Sequence, residues 1–135
     1  MTERQKKAAQ LHSSGYNCAQ AVACTFCEDL GFDEETVFRL AEGFGLGMGG
    51  MQATCGAVSG AVMLAGMVNS RPEMEGRSKS LTYKIGRDIP AKFLEKNGSL
   101  ICRELKGVDT GRVLRSCPGC IDDAVEIAEE VLDLK

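Results

Sequence analysis

The stretch GFGLGMGGMQATCGAVSGAVMLAGMVN spans residues 43–69 and joins a glycine-rich segment to the most apolar run of the chain. Neither a helix nor a strand favours the composition of the glycine-rich part, residues 43–50. The apolar run that follows is barely as long as the roughly 20 residues that a bilayer requires, and polar side chains interrupt it. We therefore expect residues 52–69 to form a buried core helix and not a membrane span.

Helix signals continue on both sides of this run, and no stretch alternates convincingly between apolar and polar residues as a half-buried strand does. Asn17 with Gln20 is typical of a capping box, and Asp33 is placed to cap a further helix. The predicted helices cover residues 3–13, 18–30, 34–42, 52–69, 72–97 with a kink or division at Pro90, and 120 or 121 to 132. The predicted fold is all-α, a compact single-domain bundle of about five to seven helices with a Gly-rich loop over residues 1–135.

Charge and composition argue against several classes of function. The 135 residues contain 16 Lys and Arg against 19 Asp and Glu, with no basic stripe, so neither nucleic acid nor an anionic membrane finds a complementary surface. Trp is absent, which argues against base-stacking platforms. The charged residues at the N-terminus are not followed by the apolar segment of a secretory signal, so we expect a cytoplasmic location.

Seven cysteines are the most unusual feature of the composition. In a reducing cytosol, clustered cysteines are more often metal ligands or redox catalysts than structural bridges. Cys24 and Cys27 lie inside a predicted helix among apolar neighbours, which favours core packing for both. The other five cysteines are the candidates for chemistry.

Cys55 lies in the segment TCGAVSG, residues 54–60, at the start of the predicted core helix. In the first turn of a helix, free N–H groups and the positive end of the dipole favour a thiolate. Gly56 and Gly60 share one face of that helix, so a second helix could approach closely. The Gly-rich loop before it has two interpretations, a flexible connector or a backbone that must come close to another group.

Cys117 and Cys120 form the motif Cys-Pro-Gly-Cys at a turn that opens the last helix. Two thiols at this spacing can form a reducible disulfide or chelate one metal ion. A zinc site of four cysteines would need a second such motif in a loop. The lone His12, which we expect to face solvent, has no second histidine for a histidine-based site.

Several segments together resemble the C_GCAxxG_C_C family of redox-active proteins. They are YNCAQAV at residues 16–22, GGM at 49–51, TCGAVSG at 54–60, GSLICREL at 98–105, and a last cysteine before the terminal helix. The resemblance implies four signature cysteines, namely Cys18, Cys55, Cys102 and Cys120, with Cys117 as the alternative to Cys120. The chain departs from the family pattern at Thr54, where the family has Gly, and in its doubled last cysteine. The similar cysteine domain of the split-Soret cytochromes implies an iron–sulfur centre.

Three functions are compatible with these observations. In the first, Cys18, Cys55, Cys102 and Cys120 or Cys117 converge as ligands of an iron–sulfur cluster, zinc or another soft metal in an electron carrier. In the second, the chain is a thiol–disulfide oxidoreductase in which Cys55 attacks and either Cys102 or the Cys117/Cys120 pair resolves. In the third, it is a non-catalytic helical module with core cysteines and no cofactor.

The two redox functions lead to a spatial prediction. The signature cysteines should meet in one pocket, with helix N-termini gathered around it, because these stabilise thiolates and anionic clusters alike. Either function also needs a redox partner protein or an electron donor, and a homodimer is compatible with both.

Overall fold

The structure is a computed structural model that describes residues 1–134; the predicted domain extends to residue 135, which lies outside them. Within the described residues there are eight α-helices and no β-sheet, which confirms the all-α prediction. The helices are α1 (Glu3–Ser13), α2 (Cys18–Thr25), α3 (Cys27–Leu30), α4 (Glu34–Ala41), α5 (Gly56–Asn69), α6 (Lys79–Asn97), α7 (Cys102–Lys106) and α8 (Cys117–Val131). The count exceeds the predicted range because α3 and α7 are each little more than one turn.

Side-chain caps fix where several helices begin. The predicted capping box of α2 is confirmed, because the Asn17 side chain accepts the N–H of Gln20 and the Gln20 side chain accepts the N–H of Asn17, both at 2.9 Å. The Asp33 carboxylate caps α4 as predicted, accepting the N–H of Thr36 at 3.0 Å. Each cap satisfies an N–H group that the helix itself leaves unpaired.

The predicted helix over residues 18–30 is interrupted at Phe26. The Thr25 hydroxyl donates to the carbonyl oxygen of Ala21 at 2.7 Å, and the N–H of Phe26 bonds to Ala23, only three residues back. Side-chain bonding to the backbone and a tightened last turn are common causes of a break. The chain therefore turns between α2 and α3, which is a correction to the single predicted helix.

The long helix α6 also differs from its prediction. It begins at Lys79 and not near Pro72, because Glu75 and Gly76 have φ angles of 52° and 89° that interrupt the helical path. Pro90 does not divide the helix. The buried side chains of Ile89 and Phe93 hold the helix against the core on both sides of the proline.

Helix α5 is the centre of the bundle and packs against α2, α6 and α8. A Cβ atom placed on Gly60 would lie 2.6 Å from the carbonyl oxygen of Ala19 in α2, so the close helix contact predicted for this glycine face is confirmed. The largest fully buried side chains around α5 include Phe26, Leu64, Ile89, Phe93 and Ile121. None of the helices in residues 1–134 combines the length and the apolar character needed to cross a bilayer.

Candidate functional site

Five cysteines from four helices line one cavity of about 170 Å³. They are Cys18, Cys55, Cys102, Cys117 and Cys120. Three of them are the first residues of α2, α7 and α8, Cys55 is the residue immediately before α5, and Cys120 lies one turn into α8. The structure thus brings together every cysteine that the sequence singled out. Their roles remain a prediction.

Paired backbone segments bring the chain at Cys55 next to the chain at Cys102. The N–H of Cys55 donates to the carbonyl of Leu100 at 2.7 Å, and the N–H of Cys102 donates to the carbonyl of Ala53 at 3.0 Å. These two bonds flank the antiparallel bridge between Thr54 and Ile101. Two helices that are distant in sequence therefore begin side by side, and each presents a thiol.

The backbone of the Gly-rich loop comes close to the pocket cysteines. Gly47 has a φ of 56°, and a Cβ atom placed on it would lie 2.6 Å from the Cβ of Cys102. A Cβ atom on Gly56 would lie 2.5 Å from the sulfur of Cys18. Of the two interpretations of this loop, the structure supports the close approach of backbone to another group, because side chains at these positions would displace the thiols.

The surroundings of Cys55 lower the pKa of its thiol. It is the N-cap of α5, one position before the first turn where the sequence placed it, because the helix begins at Gly56 and not at residue 52. A hydrogen bond from the Cys120 side chain lowers the pKa of Cys55 to about 7, although burial opposes the change. The N–H groups of Ala57 and Val58 and the charge of Lys106 lower this pKa further.

Cys120 shows the opposite shift. Its hydrogen bond to Cys55 and its burial both raise its pKa, so Cys120 keeps its proton when Cys55 ionises. The Cys120 thiol lies 3.9 Å from the carbonyl oxygen of Arg115, and it can donate its single proton either there or to Cys55. Cys55 and Cys120 are 6% and 3% exposed, so this thiolate–thiol pair is shielded from water.

Burial keeps two other cysteines of the pocket protonated. It raises the pKa of Cys18, against a smaller lowering by the N–H of Leu46, and it raises the pKa of Cys102, where the charge on Cys55 adds to the effect. A thiolate on Cys55 therefore makes a second thiolate nearby less favourable.

The outermost cysteine has a cationic partner. The Nζ of Lys106 donates to the sulfur of Cys117 at 3.1 Å, and this bond raises the pKa of Lys106. Cys117 opens α8, which begins three residues earlier than residue 120, because Ser116 caps it by accepting the N–H of Gly119. Sequence reasoning did not identify Lys106; its i,i+4 spacing from Cys102 is the signal that could have found it.

Two further side chains of the pocket were missed by sequence reasoning. His12 is half-buried and lines the cavity near the end of α1, a position that the sequence did not indicate. The loop from Gly15 to Asn17 turns α2 back against α1, so His12 and Cys18 line the same cavity. Arg115 also lines the cavity, and its guanidinium is held by two bonds to the buried Asp123 at 3.0 and 3.1 Å.

The pocket thiols are candidate ligands of an iron–sulfur cluster or a zinc ion. Sulfur ligands are the right type for either. Among residues 1–134, however, no group of three or more His, Cys, Asp or Glu side chains is arranged to hold a metal ion. In the arrangement present, Lys106 donates to Cys117 and the cysteines are not grouped as metal ligands, so the thiols do not fit a metal site.

Cys24 and Cys27 lie apart from the pocket, in a small apolar cluster with Ala19, Val37 and Ala41. Both are almost fully buried, as predicted for core packing. Replacing both with Ala is expected to lower the free energy of unfolding by about 1–2 kcal/mol through lost packing. Denaturant unfolding measures this loss, and the oxidation of the pocket thiols should be unchanged. A double variant with altered thiol oxidation would show that these cysteines take part in the chemistry.

Comparison with known proteins assigns the chain to one described group. The model of the family described as "Putative redox-active protein (C_GCAxxG_C_C)" matches residues 16–131. This range contains all five pocket cysteines. No curated protein and no solved structure matches the chain.

Proposed function

The chain belongs to the C_GCAxxG_C_C family of redox-active proteins, and we propose that its redox couple is the dithiol and disulfide of Cys55 and Cys120. The observations that support this pairing are that both thiols are buried and line the same cavity, and that their interaction lowers the pKa of Cys55 and raises that of Cys120. A thiolate beside a thiol is the arrangement that thiol–disulfide exchange requires.

The proposed reaction reduces a disulfide in two steps. The Cys55 thiolate attacks one sulfur of the disulfide, a new S–S bond forms to Cys55, and the other sulfur leaves as a thiolate that takes up a proton. The Cys120 sulfur then attacks Cys55, forms the Cys55–Cys120 bond and releases the second product as a thiol. The protein loses two electrons and the disulfide gains them; an external dithiol restores the reduced protein.

The opposite pKa shifts give the two steps their order. While Cys55 is a thiolate, its negative charge helps keep the proton on Cys120. Once the Cys55 sulfur is part of a disulfide, that charge is gone and so is the main cause of the raised pKa of Cys120. Cys120 therefore becomes a nucleophile only after Cys55 has reacted.

Counting thiols tests the proposal. Reduced protein treated with a mild disulfide oxidant should lose two of its seven thiols quickly, and peptide mapping under non-reducing conditions should find the bond between Cys55 and Cys120. Buried Cys24 and Cys27 should react last, since they are almost fully enclosed. Loss of thiols without any bond between Cys55 and Cys120 would contradict the proposed couple.

The rival function, a metal-bound electron carrier, has its own measurement. Protein purified without oxygen should be assayed for iron, acid-labile sulfide and zinc. The dithiol proposal predicts two oxidisable thiols per chain whatever the metal content of the medium. Stoichiometric iron and sulfide bound through Cys18, Cys55, Cys102 and Cys120 would replace the dithiol proposal with the cluster.

A further inference from the structure

Cys117 differs from the other pocket thiols in where it can be reached. It is half-buried, as Cys18 is, whereas Cys55, Cys102 and Cys120 are buried. It lines the thiol pocket and also a second, outer groove of about 300 Å³ whose other walls are Lys106, Val113, Arg115 and Ser116. Cys117 is therefore the sulfur common to the outside groove and the buried pair.

The groove also has a definite charge. Lys106 and Arg115 contribute two positive charges to its walls, and the residues that line it include no Asp or Glu. Asp123, which binds Arg115, is 2% exposed and also binds Lys96 at 2.9 Å, so its charge is shared between two cations. The volume is at the lower end of the range for sites that hold small molecules.

We propose that Cys117 is the outer thiol that first captures the substrate, and that the substrate is a small disulfide carrying carboxylate groups. This inference rests on the proposed Cys55–Cys120 couple and names the step before it. The groove places a carboxylate beside Lys106 and Arg115 while the disulfide meets the Cys117 sulfur. Lys106 holds that sulfur in position through its bond of 3.1 Å.

The capture step balances with the exchange described above. The Cys117 thiolate attacks the small disulfide, forms a mixed disulfide and releases one thiolate, which takes a proton. The Cys55 thiolate attacks the Cys117 sulfur and releases the second small thiol, leaving a Cys55–Cys117 bond. Cys120 then attacks Cys55, forms the final Cys55–Cys120 bond and returns Cys117 as a thiol, so two electrons have passed in total.

Three dialkyl disulfides of similar size test the charge of the groove. They are cystamine, which is cationic, bis-hydroxyethyl disulfide, which is neutral, and dithiodipropionate, which is anionic. Reduced protein should form the Cys55–Cys120 bond about tenfold faster with dithiodipropionate than with cystamine. Lys106→Met should remove most of this preference and Lys106→Arg should retain it. Lys92→Met is the matched control, because Lys92 pairs with Glu130 on the surface and should leave the preference intact.

Two cysteine variants test the order of capture. In the Cys55→Ser/Cys120→Ser variant, which lacks both sulfurs of the couple, the adduct of the first step should accumulate as a mixed disulfide on Cys117, identified by peptide mass spectrometry after acid quenching. In Cys117→Ser the Cys55–Cys120 bond should form at least about tenfold more slowly with dithiodipropionate. Three results would overturn the inference but leave the Cys55–Cys120 couple in place. They are a first adduct on another cysteine, an unchanged rate in Cys117→Ser, and rates that do not depend on the charge of the disulfide. Absence of the Cys55–Cys120 bond in the unaltered protein would instead refute the proposed function.

Discussion

Serine in place of Cys55 should abolish the disulfide to Cys120. A serine hydroxyl remains protonated near neutral pH and supplies no sulfur for this bond. The substitution should preserve the fold, because serine is a favoured N-cap and position 55 is the N-cap of α5. Peptide mapping under non-reducing conditions, followed over time in both proteins, measures the effect and distinguishes this bond from one between Cys117 and Cys120.

Cys102→Ser and Cys120→Ser separate the two candidates for the resolving thiol. Cys102 lies across the backbone bridge from Cys55, but burial raises its pKa and the hydrogen bond to Cys55 comes from Cys120. Cys102→Ser should therefore still form the Cys55–Cys120 bond, and Cys120→Ser should stop one step earlier, at the Cys55–Cys117 bond. The reverse pattern would assign the resolving role to Cys102.

The pH dependence of Cys55 alkylation tests the interaction between Cys55 and Cys120. Because the pKa of Cys55 is lowered, the fraction of its thiolate rises with pH through a midpoint near 7, and the alkylation rate rises with it. Cys120→Ala removes the donor that lowers this pKa, so the midpoint should move towards the ordinary value of about 8.5. The rate at pH 7 should fall only by roughly threefold, because a thiolate of higher pKa is also a better nucleophile. An unmoved midpoint in the variant would contradict the role given to Cys120.

Alanine at Gly60 should produce a large loss of stability, about 1–3 kcal/mol in the free energy of unfolding. The new methyl group would lie 2.6 Å from the carbonyl oxygen of Ala19 and 3.1 Å from its Cα, and backbone atoms cannot move aside as a flexible side chain can. Helices α2 and α5 would have to separate at the contact that holds Cys18 and Cys55 in one pocket. Urea unfolding followed by circular dichroism measures the change.

Gly66 in the same helix is the matched control. A Cβ atom placed there meets nothing within 4 Å, so Gly66→Ala should raise the free energy of unfolding by about 0.5–1 kcal/mol through helix propensity alone. The two alanines thus have opposite expected signs in one helix. Equal effects at the two positions would mean that α2 does not approach α5 as closely as described.

Local signals in the sequence were enough to predict the helical class and several helix starts. The capping residues Asn17 and Asp33 act on groups three residues away, so their effect can be predicted without knowing the fold. Burial of Cys24 and Cys27 also followed from their immediate neighbours. These features depend on contacts within one or two turns.

The environment of the thiols could not be predicted in the same way. The contacts of Lys106 with Cys117 and of Cys120 with Cys55 depend on how α5, α7 and α8 meet, which the local pattern does not specify. His12 was expected to face solvent because nothing near it in sequence reveals the second helix that packs beside it. The resemblance to a family indicated which cysteines mattered, and only the tertiary structure distinguished their partners.

The bridge between Thr54 and Ile101 makes the acidity of Cys55 sensitive to two segments that are distant in sequence. It ties the N-cap of α5 to a segment almost fifty residues further along, so local fraying at either end should disturb the N–H groups that face the sulfur. The titration midpoint of this thiol can therefore serve as a built-in reporter of local opening at the bridge.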